Sequence, residues 1–285
     1  MPDAAFELTM PARRLTGAVF ASPHSGREYT PAFLRSAALS GRAIRSSEDA
    51  YVDRLWADVV AHGAPLLAAR MPRAFLDLNR AADELDPALV EGVRRVSHNP
   101  RIASGLGVIP RVVAGGRPIY HGKMPISDAH RRIRQWWRPY HETLQRLLDE
   151  SREAFGSALL IDCHSMPHEA IEPSGRGRRP DIVLGDRFGA AASGDRVEEI
   201  EAIFEQAGFR VARNAPFAGA YIVQAYGRPS HGQHAVQVEI DRSLYMDEAA
   251  VEPHSGFDEL RARLSGVAAR IGAMEGGAAQ AMAAE

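Results

Sequence analysis

Short apolar runs that end in polar residues recur along the chain and predict the strands of a buried sheet. Residues 158–161 read ALLI, 17–21 read GAVFA and 64–69 read APLLAA, and each run is too short for a stable helix. Such runs are typical of strands that are buried on both faces. Residues 73–78 are a further expected strand, whereas 234–240 alternate apolar and polar side chains, as in a strand with two different faces.

Apolar residues spaced three and four apart predict amphipathic helices over 49–62, 127–152, 195–207 and 256–271. Pro139, inside the second of these helices, predicts a kink. Because strands and helices alternate along the chain without a repeat or an obvious linker, we expect a single α/β catalytic domain over residues 1–285.

Three segments lack this periodicity. Residues 1–16 are polar and are expected to be irregular, and residues 273–285 are expected to fray at the end of the last helix. Residues 81–125 are rich in Gly, Pro and Arg. A connection of this length without regular structure is unusual in a compact domain, so we expect a functional insertion or lid there.

Composition narrows the class of partner. The chain has 34 Lys and Arg against 36 Asp and Glu, a formal net charge of -2, so it offers no strong field to nucleic acid or to an anionic membrane. We therefore expect a small-molecule partner. A single cysteine excludes an internal disulfide framework. The start of the sequence lacks the apolar core of a signal peptide. No apolar run approaches the roughly 18 residues of a membrane span. These features favour a cytoplasmic protein.

Histidine and carboxylate side chains lie where buried elements begin or end, and this pattern suggests a catalytic metal site. His24 and His164 follow expected strands, and Glu48 and Asp49 lie at the start of an expected helix. A catalytic zinc takes three such ligands and leaves a fourth position open for water. Simpler interpretations remain open, namely a buried histidine bonded to a carbonyl group and an acidic pair that stabilises a helix dipole.

Other polar residues are candidates for substrate binding and proton transfer. Arg73, Asn79 and Arg80 supply donors that match a carboxylate, although Arg80 could instead form an ordinary ion pair. Glu239 either faces solvent or lies in a core, where a carboxylate is costly unless it is paired or acts as a base. Cys163 could be a nucleophile, but adjacent strand residues face opposite sides, so we expect it to be packed in the sheet.

Six segments of the chain resemble, in the same order, motifs of the N-formylglutamate amidohydrolase family. They are Ser22-Pro23-His24-Ser25-Gly26, Glu48-Asp49 with Asp53, Arg73 with Asp77-Leu78-Asn79-Arg80, Trp137-Arg138-Pro139-Tyr140-His141, Asp162-Cys163-His164-Ser165, and Tyr226-Gly227-Arg228-Pro229 with Gln237-Val238-Glu239. Each motif alone is unspecific, but their shared order over about residues 21–248 argues against coincidence.

The resemblance implies a fold and a metal site. The fold would be a mixed, mostly parallel sheet flanked by helices on both faces, similar to that of the zinc carboxypeptidases and the aspartoacylase group. One Zn²⁺ per chain would be held by His24, Asp49 and His164, and Glu48 or Asp53 would be the alternatives for the carboxylate ligand.

The resemblance also implies roles for the other candidates. Asn79 and Arg80 match a pair that binds the substrate's carboxylate in such enzymes, with Arg73 as a second donor. Arg228 is a further candidate for substrate binding. Glu239 falls at the position of the general base, and Asp162 would orient a ligand imidazole.

The implied activity is zinc-dependent hydrolysis of the amide of an N-acyl acidic amino acid. N-formyl-L-glutamate, which would give formate and L-glutamate, is the substrate that the resemblance favours. A carboxypeptidase-like peptidase or amidase acting on another N-acyl amino acid or a cell-wall peptide is the alternative enzyme. A metal-free module that binds a small anionic metabolite is the alternative without catalysis. The sequence does not define the oligomeric state or the pathway.

Overall fold

The computed structural model describes residues 4–94, 99–171 and 179–282. Its strands are β1 Phe6–Thr9, β2 Ala18–Ser22, β3 Leu66–Ala69, β4 Ala158–Met166, β5 Ile182–Gly185, β6 Val211–Arg213 and β7 Gln233–Asp241, with a short ribbon of β8 Met246–Asp247 and β9 Glu252–Pro253. The first seven form one sheet in the order β1-β3-β2-β4-β7-β5-β6.

The sheet is mixed and mostly parallel, as predicted. β4 pairs in parallel with β2 and β7, and β5 pairs in parallel with β6, whereas β5 and β7 are antiparallel. Every residue of β2, β3, β4, β5 and β7 is buried, so both faces of these strands are covered. The apolar runs that predicted β2, β3 and β4 are explained by this burial.

The α-helices of the described residues are α1 Pro31–Ser36, α2 Gly41–Arg45, α3 Val52–Leu55, α4 Pro100–Ala103, α5 Ile126–Arg132, α6 Arg138–Phe155, α7 Gly194–Gln206, α8 Tyr221–Tyr226 and α9 Phe257–Met282. The helix expected over 127–152 is confirmed, and its irregularity is a π-helical turn at Ile133–Trp137 just before Pro139. The helix expected over 49–62 is divided into α3 and a 3₁₀ helix at Ala57–His62.

The chain differs from the predicted elements at two places near its start. The expected irregular N-terminus contains β1, whose half-buried and exposed positions alternate over only four residues, too short a pattern to stand out. The strand expected at 73–78 is absent. Pro72 O accepts the N–H groups of Phe75 and Leu76, and the Asp77 side chain accepts the N–H two residues further on, so this segment forms turns.

The two remaining predicted segments are partly described. The last helix continues beyond Ile271 to Met282, and residues 283–285 lie outside the described residues. Segment 81–125 contains α4 and a 3₁₀ turn at Ala114–Gly116, and its residues 95–98 lie outside the described residues. Its role as an insertion or lid stays a prediction.

Contacts divide the chain into two compact units. One comprises the described residues of Met1–Glu7, Pro23–Ala50 and Ala68–Thr143, and the other those of Leu8–Ser22, Tyr51–Leu67 and Leu144–Glu285. The segments of the units alternate along the sequence, so no single cut separates them, and the assignment of the whole chain to one domain stays a prediction. Within the described ranges, no helix has the length and apolar character needed to cross a membrane.

Candidate active site

The strand β4 carries His164 and Asp162 among apolar residues. The two residues are separated by one position, so their side chains project from the same face of the strand. His164 Nε2 lies 3.1 Å from Asp162 Oδ2, and both side chains are buried. A carboxylate at one ring nitrogen fixes the orientation of an imidazole and directs the other nitrogen to a ligand. This is the contact that the predicted orienting role of Asp162 requires.

His24 lies just after β2 and is held between two carboxylates. Its Nε2 donates to Asp77 Oδ1 at 2.7 Å, and its Nδ1 lies 3.3 Å from Asp49 Oδ2. Asp77 also accepts from Arg73 Nε at 3.0 Å. Burial alone would raise the pKa of Asp77, but the charges of His24 and Arg73 and the hydrogen bond from His24 hold it well below its usual range. Asp77 therefore stays ionised and orients the His24 ring.

The ligand atoms of His24, Asp49 and His164 all lie within 4.8 Å of one another, and all three residues are buried. The 3.3 Å between His24 Nδ1 and Asp49 Oδ2 equals the separation of about 3.3 Å expected for two ligands of a tetrahedral zinc with bonds of roughly 2.0–2.1 Å. Two imidazoles and one carboxylate are also a ligand set of catalytic zinc sites. The group could therefore hold a metal ion, as predicted.

The structure distinguishes between the possible carboxylate ligands. Glu48 is engaged elsewhere, since Arg45 Nη2 donates to its Oε2 at 3.0 Å and the hydroxyl of Tyr29 donates to its Oε1. Asp53 lies in the first turn of α3 and is not part of the group of three. Asp49 is thus the carboxylate that the fold brings to the two histidines.

Glu239 lies beside His164 on the neighbouring strand. β4 and β7 are parallel and their register pairs His164 with Glu239, so the two residues are about 4.8 Å apart along the hydrogen-bonding direction and face the same side. Glu239 is buried at 8 % exposure, which excludes the alternative that it simply faces solvent. Its Oε1 accepts a hydrogen bond from Gln237 Nε2 at 2.8 Å.

Arg80 is a buried guanidinium fixed by backbone carbonyl groups. Its Nε donates to Leu106 O and its Nη1 to Asn79 O, each at 3.0 Å, and Trp137 Nε1 donates to the carbonyl of Arg80 itself at 2.9 Å. Burial lowers the pKa of the Arg80 guanidinium. The charge of Asp77 raises this pKa, and the neighbouring guanidinium groups of Arg73 and Arg101 lower it further. Segment 81–125 thus fixes Arg80 through Leu106. Glu84 Oε2 lies 3.9 Å from Arg80 Nε, so this guanidinium also lies near a carboxylate of the same segment.

The structure does not bring the backbone of Arg228 to the candidate site, and its role in substrate binding stays a prediction. Its backbone N–H donates to Gln233 O at 2.7 Å, which places it at the start of β7. Glu239 is six residues further along this strand (239 − 233), roughly 20 Å away in an extended chain. Arg228 and Glu239 therefore lie at opposite ends of β7.

The sequence did not assign roles to Asp77 and Gln237. Both stood within quoted motifs, but their contacts with His24 and Glu239 depend on the fold. Cys163 is fully buried, and burial, together with the charge of Asp162, raises the pKa of its thiol well above the usual value. It is packed in the sheet, as predicted, and is not a nucleophile.

Comparison with known proteins agrees with this geometry. A family described as N-formylglutamate amidohydrolase matches residues 16–246. N-formylglutamate deformylase of Pseudomonas aeruginosa is 32% identical over 232 residues, 80% of this chain and 81% of the relative. The enzyme of the same name from Pseudomonas putida is 32% identical over 241 residues, 84% of each chain.

A solved structure is similar over nearly the whole chain. The crystal structure of N-formylglutamate amidohydrolase from Ralstonia eutropha JMP134 superposes with a TM-score of 0.89 at 35% identity, covering 95% of this chain and 98% of that one. The family match, the two relatives and this structure agree with the order of motifs and with the sheet described above. The chain therefore belongs to the N-formylglutamate amidohydrolase family.

Proposed function

We propose that this protein is a zinc-dependent hydrolase that cleaves the amide of N-formyl-L-glutamate to formate and L-glutamate. Its family and the names of its relatives support the reaction and the substrate. The observation that carries the proposal is the convergence of His24, Asp49 and His164, with a buried Glu239 next to His164. This combination contains the ligands of a catalytic metal and a base.

Zinc is the metal that this set of donors fits. His24, Asp49 and His164 would be its protein ligands, and Asp77 and Asp162 would orient the two imidazoles. A bound zinc lowers the pKa of a water molecule to about 7 and polarises a carbonyl group. Orientation of the imidazoles by buried carboxylates prepares the ligands before the metal arrives.

Glu239 would move the proton in this reaction. Its carboxylate accepts a proton from the attacking water, and the resulting carboxylic acid donates that proton to the leaving amine nitrogen. Burial excludes bulk water from this carboxylate, so the proton is passed between the water, Glu239 and the substrate.

Arg80 would anchor a carboxylate of the substrate, with Asn79 and Arg73 beside it. Two nitrogens of its guanidinium donate to carbonyl groups, so the side chain is already fixed. A fixed guanidinium suits a carboxylate, because little side-chain freedom is lost on binding. The Arg73 guanidinium is held in place by its ion pair with Asp77, at 3.0 Å between Nε and Oδ2.

A substrate panel tests the proposal. N-formyl, N-acetyl and N-succinyl derivatives of glutamate, aspartate and leucine are incubated with the purified, untagged protein, and the released amine is measured. We expect the highest kcat/KM for N-formyl-L-glutamate, about one zinc per chain, and loss of activity with a chelator that zinc reverses. No release of amine from any derivative, or a metal-free protein that zinc does not activate, would contradict the proposal.

Preference for another acyl group would instead favour the alternative enzyme, an amidase that acts on another N-acyl amino acid.

The single Cys163 is typical of proteins of a reducing compartment, so the cytoplasm remains our prediction for the location of the protein.

A further inference from the structure

Gln237 is the buried neighbour of Glu239 on β7. The two residues are separated by one position, so both side chains project from the same face of the strand. Gln237 is 4 % exposed, and its Nε2 donates to Glu239 Oε1 at 2.8 Å. A buried carboxylate that accepts this bond is restricted in the rotamers it adopts.

The orientation of the Gln237 amide follows from its second partner. The backbone N–H of Ala220 donates to Gln237 Oε1 at 3.1 Å. Because a backbone N–H only donates, the amide oxygen faces Ala220 and the amide nitrogen faces Glu239. A rotation of the amide by half a turn would break both hydrogen bonds at once. The Gln237 amide therefore presents its NH₂ group to the Glu239 carboxylate.

Ala220 is itself held in place by the chain around it. Ala218 O accepts the N–H of Arg187 at 2.8 Å, and β5 approaches so closely that a Cβ on Gly185 would lie 2.7 Å from Ala218 C. The register of β5 and β7 pairs Gly185 with Gln237. The donor that fixes the Gln237 amide is therefore anchored to the same strand pair as the amide.

We propose that Gln237 is a positioning residue, which holds the Glu239 carboxylate in one orientation by linking it to the backbone of Ala220. This inference rests on the proposed function for the role of Glu239 as the base. A glutamine suits the position because it accepts from Ala220 and donates to Glu239, whereas a carboxylate accepts at both ends and repels Glu239.

The test compares Gln237→Met with Gln233→Met. Gln233 is a matched control on the same strand, because it is 1 % exposed and its Nε2 donates to Tyr226 O at 2.7 Å, at the far end of β7. We expect Gln237→Met to lower kcat at least tenfold, with KM and zinc content within twofold of the wild type. Gln233→Met, which loses the one hydrogen bond to Tyr226 O, should leave kcat within twofold, whereas Gln237→Met loses the bonds to both Glu239 and Ala220.

A second variant separates positioning from folding. Gln237→Glu keeps an acceptor for Ala220 and removes the donor to Glu239, so kcat should fall while the amide of Ala220 stays protected from hydrogen exchange. In Gln237→Met the Ala220 amide should exchange faster. If Gln237→Met and Gln233→Met reduce kcat equally, or if kcat of Gln237→Glu is unchanged, Gln237 has no positioning role.

Failure of the proposed function is recognised separately. In that case the wild type itself does not hydrolyse N-formyl-L-glutamate. The positioning of Glu239 by Gln237 is then tested by crystal structures of the wild type and of Gln237→Met. In Gln237→Met we expect the Glu239 carboxylate to adopt a rotamer that differs from that of the wild type. An unchanged Glu239 rotamer, together with unchanged exchange at Ala220, would overturn the inference without reference to activity.

Discussion

His24 and Asp77 are joined by a 2.7 Å hydrogen bond between two buried side chains that are 53 residues apart in sequence. Because Nε2 of His24 is engaged by Asp77, Nδ1 is the nitrogen that faces Asp49, whose Oδ2 lies 3.3 Å away. Asp77 thus determines which nitrogen of His24 a metal would meet. The low pKa of Asp77 keeps it an acceptor at neutral pH.

Replacement of Asp77 should weaken zinc binding. In Asp77→Asn the acceptor of the His24 proton loses its charge, and we expect zinc affinity to fall about 10- to 100-fold. Competition with a chromogenic chelator measures this affinity. Asp86→Asn is the matched control, since Asp86 is also buried and accepts from Arg111 Nε at 2.8 Å. Equal zinc affinities of the two variants would show that Asp77 does not orient the ligand.

Replacement of Glu239 should separate metal binding from turnover. Glu239→Gln keeps the size of the side chain but cannot accept a proton, so kcat should fall by about 10²- to 10⁴-fold. Zinc content should remain that of the wild type, because Glu239 is not one of the three candidate ligands. Rates and metal content are measured on the same preparation. Wild-type turnover in this variant would remove Glu239 from the mechanism.

Replacement of Arg80 should affect substrates that carry the matching carboxylate. Loss of a charged hydrogen bond predicts a fall in kcat/KM of about 10- to 100-fold in Arg80→Ala. Arg228→Ala is the matched control and should stay within twofold, because its backbone is bonded to Gln233 at the opposite end of β7 from Glu239. An N-formyl amine without carboxylates serves as second substrate. If Arg80→Ala loses as much on this amine as on N-formyl-L-glutamate, the anchoring role is wrong.

The sequence predicted most of what depends on local pattern. The apolar runs of β2 and β4 identified buried strands, and the histidines that follow or end them were correctly expected to converge with an acidic residue. The sequence identified Asp77 only as a residue of a motif. Its contact with His24 joins segments that are far apart in the sequence, and hydrophobic periodicity does not predict such a contact. The sequence also does not show how far the backbone of Arg228 lies from Glu239, since residues close in sequence are separated by the length of an extended strand.

His141 should make stability depend on pH. It is buried against Trp137, with ring centroids 3.9 Å apart, and its Nε2 donates to Leu78 O at 2.9 Å. Burial lowers its pKa to about 3, although the bond to Leu78 acts in the opposite direction. The folded state therefore keeps this ring neutral between pH 3 and the usual pKa of about 6.5, while the unfolded chain takes up a proton.

The sign of this effect follows from the lowered pKa of a basic group. The stabilisation is present above about pH 6.5 and is lost as the pH falls, by up to about 1.4 kcal/mol per pH unit in the free energy of unfolding. His141→Gln retains a donor for Leu78 O but does not titrate, so its unfolding free energy should fall less steeply. Urea unfolding at pH 7, 6 and 5 gives the unfolding free energies of the wild type and of His141→Gln. The contributions of the other titrating groups cancel in the difference between the two proteins. Parallel pH profiles of the two proteins would mean that His141 is not kept neutral by the fold.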